Sequence, residues 1–178
     1  MMKKPLINTL VIRKTAATLR QSCYAQLQWG INRLGVSHLW KGTINPLELT
    51  YIPTGQKILF RGCDDSLKIT SITVEKGHIC YAWLEEAYEC DEGEFKRIDE
   101  SLRGKMPEGY YIQWLITFNP WSAQSWLKAK FFDVPNDKTL AMTTTYKCNE
   151  WLSEEDLSLF EDMKQADPER YKIAGLGE

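Results

Sequence analysis

Residues 79–86, ICYAWLEE, decide the fold of this 178-residue chain. Six consecutive apolar residues are typical of a strand that is buried on both faces of a parallel sheet. The run closes on two acids, Glu85 and Glu86. If the run is such a strand, both carboxylates lie at its carboxyl end, where open α/β sheets bind their ligands. From these residues alone, a surface helix that begins with two acids explains the pair equally well.

Strand and helix patterns alternate on the amino-terminal side of this run. A short apolar strand at residues 10–12 is followed by an amphipathic helix predicted over residues 15–34, with its stop at Gly35. Alternating polar and apolar residues at 47–51, and a second run at 57–61, predict a β-hairpin at an edge of the sheet or as an excursion from it.

The alternation continues after the acid pair. Asp91 and Glu94 have the spacing of a capping box, which predicts a helix that stops near Gly104. The remaining elements are predicted in this order: a buried strand over 110–118, a helix capped by Ser122, a strand over 139–146 and a helix opening at Ser153. This succession predicts an α/β fold with a mostly parallel sheet.

Composition excludes several classes of protein. The net charge of −2 indicates no global basic field of the kind that attracts nucleic acid. Five cysteines without a CxxC, beside only two histidines, argue against a zinc site and suit a reducing compartment. Residues 1–5, MMKKP, lack the apolar core of a signal peptide, and we expect no membrane span. Trp83 and Trp114 are expected to pack in the core.

Five motifs, in this order and at this spacing, make the chain resemble the ATPase domain of PBSX-type phage terminase large subunits. The motifs are LVIRKTAATLRQSCYAQL (10–27), ELTYIPTGQKILFRGCDDSLKITSI (48–72), YAWLEEAYE (81–89), LITFNPWS (115–122) and WLKAKFF (126–132). Residues 146–178 resemble the stretch that follows that domain in the family. The resemblance implies a P-loop NTPase sheet of the ASCE or RecA-like type.

The resemblance also implies roles for individual residues. Glu85 corresponds to the Walker B acid, which holds Mg²⁺ through its water shell, and Glu86 corresponds to the catalytic carboxylate, which orients or deprotonates the attacking water. The other implied site residues are the coupling motif Thr117, Phe118 and Asn119, and two candidate phosphate contacts, Arg13 and Lys68.

One signature of the family class is missing from the sequence. No GxxxxGK[ST] occurs, so these residues do not supply the loop that grips the β- and γ-phosphates. We therefore expect residues 1–145 to be a partial ATPase domain, from its second strand onward, with a sheet that is incomplete at its N-terminus. Residues 146–178 are expected to be a helical segment that leads towards a nuclease domain. Mg²⁺ and ATP are the implied cofactors of the intact family protein, and neither is expected to bind tightly to this fragment.

The implied function is that of a motor that hydrolyses ATP to translocate viral DNA into the procapsid. Its implied partners are viral double-stranded DNA, the portal protein, the small terminase subunit and other large subunits, in the cytoplasm of the bacterial host. Two alternatives stay open: a non-catalytic prophage remnant or interaction piece, and a metal-dependent phosphodiesterase that uses Asp64, Asp65, Glu85 and Glu86. Turn chemistry explains Asp64 and Asp65 without catalysis.

Overall fold

The computed structural model describes residues 1–65, 69–102, 104 and 106–178. These residues form two compact units, Met1–Thr117 and Phe118–Glu178. Lys68 lies outside the described residues.

The first unit is built on a six-stranded sheet with the strand order β2-β3-β4-β1-β5-β6. The strands are β1 (Ile7–Arg13), β2 (Trp40–Ile44), β3 (Leu47–Tyr51), β4 (Gln56–Gly62), β5 (His78–Glu85) and β6 (Gln113–Thr117). Strands β4, β1, β5 and β6 are parallel, whereas β2 and β3 pair antiparallel at one edge. The predicted mostly parallel α/β sheet is confirmed. The predicted hairpin is β3 and β4, but it is neither an edge nor an excursion, because β4 lies inside the sheet between β3 and β1.

One face of this sheet is covered by the helical stretch that follows β1. It consists of α1 (Ala16–Leu19), a π-helical segment (Arg20–Tyr24) and α2 (Ala25–Arg33). Leu19 and Tyr24 join Val11 and Phe60 in a buried cluster, as the apolar spacing predicts. Leu34, predicted on the same face, is 70% exposed because the helix has ended one residue earlier.

The opposite face carries α3 (Glu92–Ser101), which begins with the predicted capping box. Asp91 Oδ1 accepts a hydrogen bond from the Glu94 amide at 2.7 Å, and Glu94 Oε2 accepts one from the Asp91 amide at 3.0 Å. Phe95 of α3 then packs against Trp114 of β6 with ring centroids 4.9 Å apart. The central strand β1 is thus covered on both faces, whereas β5 is buried on the face of Cys80, Ala82 and Leu84 and half-buried on the other.

Buried amides close the amino end of the sheet. The Gln56 side chain donates to the carbonyls of Ile7 at 2.6 Å and Lys4 at 2.8 Å. Asn8 Oδ1 accepts from the Lys57 amide at 2.7 Å. These bonds satisfy backbone groups that would otherwise be buried without partners.

The second unit is helical, and two predictions made for it from the sequence are wrong. Its helices are α4 (Trp126–Phe131), α5 (Glu154–Ala166), α6 (Pro168–Tyr171) and a final π-helical segment (Lys172–Leu176). Ser125, not Ser122, caps α4 by accepting from the Leu127 amide, whereas the Ser122 hydroxyl accepts from Gln124 in the preceding turn. The predicted strand over 139–146 is wrong, because residues 139–145 pair with no strand in the described ranges and Leu140 is 83% exposed.

None of the helices in the described part of the chain is both long enough and apolar enough to cross a membrane.

Candidate functional site

The carboxyl ends of the parallel strands bring most of the predicted site residues to one edge of the sheet. Arg13 ends β1, Glu85 ends β5 and Thr117 ends β6. Ile12 is paired with Leu84 across β1 and β5, and Glu85 is paired with Thr117 across β5 and β6. Three side chains that lie up to 104 positions apart in sequence therefore meet at the place where α/β sheets bind ligands.

The Glu85 carboxylate is held by its neighbour on β6. The Thr117 hydroxyl donates a hydrogen bond to Glu85 Oε2. The same Thr117 oxygen accepts a hydrogen bond from the Trp83 indole Nε1 at 2.9 Å. One carboxylate oxygen is thus fixed in direction, and the contacts within the described part of the chain leave Oε1 available to a ligand.

Glu86 has an unusual backbone conformation. Its φ of 51° and ψ of 50° lie in the left-handed region, and it is the only non-glycine residue with positive φ in the described ranges. The chain leaves β5 here and turns directly into the 3-10 turn Ala87–Glu89, whose Ala87 is fully buried. For an L-residue other than glycine this conformation costs about 1–2 kcal/mol. Strained residues of this kind are concentrated at functional sites.

The surroundings of Glu86 disfavour its ionised form. Burial raises the pKa of the Glu86 carboxyl, and the negative charge of Glu85 raises that pKa further. The positive charge of Arg13 opposes both effects by lowering the pKa of Glu86. A raised pKa brings a carboxylate closer to the operating pH, which suits a group that accepts a proton during a reaction.

Arg13 has hydrogen-bond donors to spare. Its Nε is buried and has no hydrogen-bond partner among the described residues. Its Nη2 lies 3.8 Å from Glu89 Oε2, which is an ion pair but too long for a hydrogen bond. A buried donor without a partner is costly. An anion at this edge of the sheet would satisfy it, so the environment of Arg13 fits a phosphate.

The acid pair fits Mg²⁺ with a bound nucleotide better than a metal held by protein alone. Mg²⁺ is usually held by one or two carboxylates together with substrate phosphates and water. Glu85 supplies such a carboxylate, and Glu86 follows it directly at the end of β5. Among the described side chains, no group of three or more His, Cys, Asp or Glu is arranged to hold a metal.

Asp64 is exposed in the turn Cys63–Asp65, and its amide donates to the Lys14 carbonyl at 3.0 Å, in accord with turn chemistry.

The other two residues of the predicted coupling motif belong to the second unit. Phe118 makes an edge-to-face contact with Phe132, with ring centroids 6.3 Å apart. Asn119 is exposed, and its carbonyl accepts a hydrogen bond from the Trp121 amide at 2.9 Å.

Sequence patterns missed three features of this edge. The first two are the left-handed conformation of Glu86 and the Arg13–Glu89 ion pair. The third is the hydrogen bond of Trp83, a residue expected only to pack in the core. The sequence does contain a signal for the hydrogen bond of Trp83. Trp83 and Glu85 are two positions apart on one strand, so their side chains share a face of the sheet.

Comparison with known proteins identifies the class and then the family. The sheet has the same fold as solved large terminases. It superposes on the large terminase of a thermophilic bacteriophage with a TM-score of 0.74 at 18% identity, covering 96% of this chain and 40% of that one. The same phage protein in complex with ADP gives 0.69, again with 96% and 40% covered. The large terminase ATPase domain of Thermus phage P74-26 gives 0.63 at 11% identity, covering 99% of this chain and 78% of that one.

Sequence comparison gives the family. The model of the phage terminase large subunit family matches residues 1–178, and this chain belongs to that family. The terminase large subunit of Bacillus phage SPP1 is 38% identical over 186 residues, with 100% of this chain and 43% of that protein covered. The PBSX phage terminase large subunit of Bacillus subtilis (strain 168) is 28% identical, covering 94% of this chain and 41% of that protein. The chain thus spans less than half the length of these relatives.

Proposed function

We propose that this chain carries the acid pair of a terminase motor that hydrolyses ATP to drive viral double-stranded DNA into a procapsid. One observation supports this proposal above the others. Two adjacent carboxylates lie at the carboxyl end of β5, and the second of them, Glu86, is held in a left-handed conformation with a raised pKa. The family membership of the chain supports the same function.

In this proposal the two acids have different tasks. Glu85, oriented by the Thr117 hydroxyl, holds the water shell of Mg²⁺. Glu86 positions the attacking water and accepts its proton. Bound Mg²⁺ supplies charge neutralisation on the β- and γ-phosphates. Arg13 offers its unpartnered Nε to phosphate oxygen, and Lys68 is proposed as a second phosphate contact.

The remaining assignments are also proposals. Thr117, Phe118 and Asn119 would couple the state of the γ-phosphate to the rest of the motor, because Thr117 contacts Glu85 and the other two follow it directly. Residues 1–145 would be the partial ATPase domain and 146–178 the segment beyond it. The proposed partners are viral DNA, the portal protein, the small terminase subunit and other large subunits, in the cytoplasm of the bacterial host.

The test is a chimera in which a segment carrying GxxxxGK[ST] precedes the 178 residues. The 178-residue polypeptide itself is the comparator and is expected to show no ATP turnover, because most of phosphoryl-transfer catalysis is positioning and charge neutralisation at the phosphates. In the chimera, Glu86→Gln should lower kcat by about 10²–10⁴-fold, the typical contribution of a general base, and should leave nucleotide affinity nearly unchanged.

Glu85→Ala should instead weaken Mg²⁺-dependent nucleotide binding. Glu92→Gln, which removes a half-buried acid in the first turn of α3, is the matched control and should change neither property. Equal losses of binding in the Glu85 and Glu86 variants would contradict the division of roles. A chimera that binds nucleotide but never hydrolyses it would favour the alternative of a non-catalytic remnant.

A further inference from the structure

Trp83 makes a hydrogen bond that its position in the core does not require. The indole is partly buried and packs against the cluster that contains Val11, its register partner on β1. Its Nε1–H donates to Thr117 Oγ1 at 2.9 Å, and that hydroxyl donates to Glu85 Oε2. The indole therefore lies at the outer end of a chain of two hydrogen bonds that ends on the carboxylate.

Strand geometry makes this chain of hydrogen bonds specific. Trp83 and Glu85 point to the same face of β5, and their register partners on β6 are Leu115 and Thr117. Thr117 is thus directly opposite Glu85 and diagonal to Trp83. The long indole side chain of Trp83 spans this diagonal, with its Nε1 lying 2.9 Å from Thr117 Oγ1. A one-residue change of register would break both bonds.

The indole also limits where the Thr117 hydroxyl can point. A hydroxyl has one proton and two lone pairs. The Trp83 N–H occupies one lone pair, so the proton of Thr117 is directed away from the indole. The available acceptors are Glu85 Oε2 and, at the longer distance of 3.5 Å, the Leu84 carbonyl. Without the indole, the hydroxyl could rotate between these acceptors and solvent.

We propose that Trp83 is a positioning residue that acts through the Thr117 hydroxyl to fix the Glu85 carboxylate in the direction required to hold Mg²⁺. This role rests on the proposed function for its metal, whereas the chain of hydrogen bonds itself does not. Partners of metal ligands that lie one shell further out commonly contribute 10–100-fold to metal affinity. Trp83 acts through one intervening hydroxyl, so its contribution belongs at the low end of that range.

Trp114 provides a matched control. It lies on the neighbouring strand β6, is partly buried, and donates its Nε1–H to a carboxylate, Asp99 Oδ1, at 2.8 Å. Its hydrogen bond points to α3, on the other face of the sheet from Glu85. Trp114→Phe therefore removes an indole of the same kind without affecting the Thr117 hydroxyl.

The first experiment uses the 178-residue protein labelled with ¹⁵N-tryptophan. Indole N–H resonances are assigned by their loss in Trp83→Phe and Trp114→Phe. Thr117→Val should move the Trp83 resonance and increase its solvent exchange about tenfold or more, whereas Thr117→Ser should restore both. Glu85→Gln should also move the Trp83 resonance, and none of these changes should move that of Trp114. A Trp83 resonance that does not respond to Thr117→Val or Glu85→Gln would overturn the proposal.

The second experiment measures the Mg²⁺ dependence of ATP turnover in the chimera. Trp83→Phe should raise the Mg²⁺ concentration for half-maximal turnover about tenfold, and Trp114→Phe should leave it unchanged. A purely structural role would lower the Tm of Trp83→Phe without changing its Mg²⁺ requirement, and that result would overturn the positioning role. If the chimera does not hydrolyse ATP at all, the proposed function fails, and the resonance experiment still decides whether the hydrogen-bonded chain exists.

Discussion

The left-handed conformation of Glu86 leads to a stability prediction that requires no ligand. At ordinary positions glycine is less stable than alanine by about 0.4–1 kcal/mol, because glycine loses more backbone freedom on folding. At φ 51° and ψ 50° this order should reverse. The left-handed region costs a residue with a Cβ about 1–2 kcal/mol, and glycine avoids that cost. The difference between the midpoints of these two ranges leaves Glu86→Gly more stable than Glu86→Ala by about 0.8 kcal/mol.

The comparison of glycine with alanine isolates the backbone term. Both variants remove the carboxylate, so the electrostatic effects of Glu85 and Arg13 change equally in the two proteins. Urea unfolding followed by far-UV circular dichroism measures the difference as a shift in midpoint. By thermal unfolding, 1 kcal/mol corresponds to about 2–4 °C in Tm for a chain of this size.

One result would refute this reasoning. If Glu86→Ala is as stable as Glu86→Gly, or more stable, Glu86 carries no backbone strain in solution. The inference that the turn after β5 is held under strain would then be wrong.

Two further predictions concern the same edge of the sheet. Because the pKa of Glu86 is raised in the folded state, its ionised carboxylate destabilises the fold as pH rises above its unfolded pKa of about 4.5. The stability of Glu86→Gln relative to wild type should therefore increase from about pH 4 towards neutrality and then level off, and a pH-independent difference in urea midpoint would contradict this. Gly62→Ala should destabilise by about 1–3 kcal/mol, because a Cβ would clash with the Ala16 backbone nitrogen and with Asp64 Oδ1. Its control, Gly30→Ala in α2, meets no atom within 4 Å and should stabilise by about 0.5–1 kcal/mol in thermal unfolding, and equal effects of the two changes would contradict the close approach.

The parallel sheet was predictable because its signals are local. Each signal involves only a few neighbouring residues. These signals are the apolar run of β5, the capping box of α3 and the turn residues between elements. Strand direction then places the ends of β1, β5 and β6 at one edge without any knowledge of side-chain contacts.

Features that depend on distant partners were not predictable. Residues 139–146 have the composition of a strand, but a strand needs a neighbour, and the described chain offers none there. Leu140 and Met142 are accordingly exposed. Glu86 adopts its left-handed conformation where the chain leaves β5 and Ala87 becomes buried, and no local pattern encodes that turn.

Mn²⁺ can test directly whether the carboxyl edge of the sheet holds the nucleotide and its metal. In the chimera, Mn²⁺ with a non-hydrolysable ATP analogue should broaden the amide resonances of Arg13, Glu85, Glu86 and Thr117, since paramagnetic broadening falls steeply with distance. The controls are Ile7, His78 and Gln113 at the amino ends of the same three strands. In β1 the two ends are about 20 Å apart at roughly 3.3 Å per residue. We expect strong broadening at the carboxyl ends and little at the amino ends. Equal broadening at both ends, or broadening of the amino ends alone, would contradict a nucleotide site at the carboxyl edge.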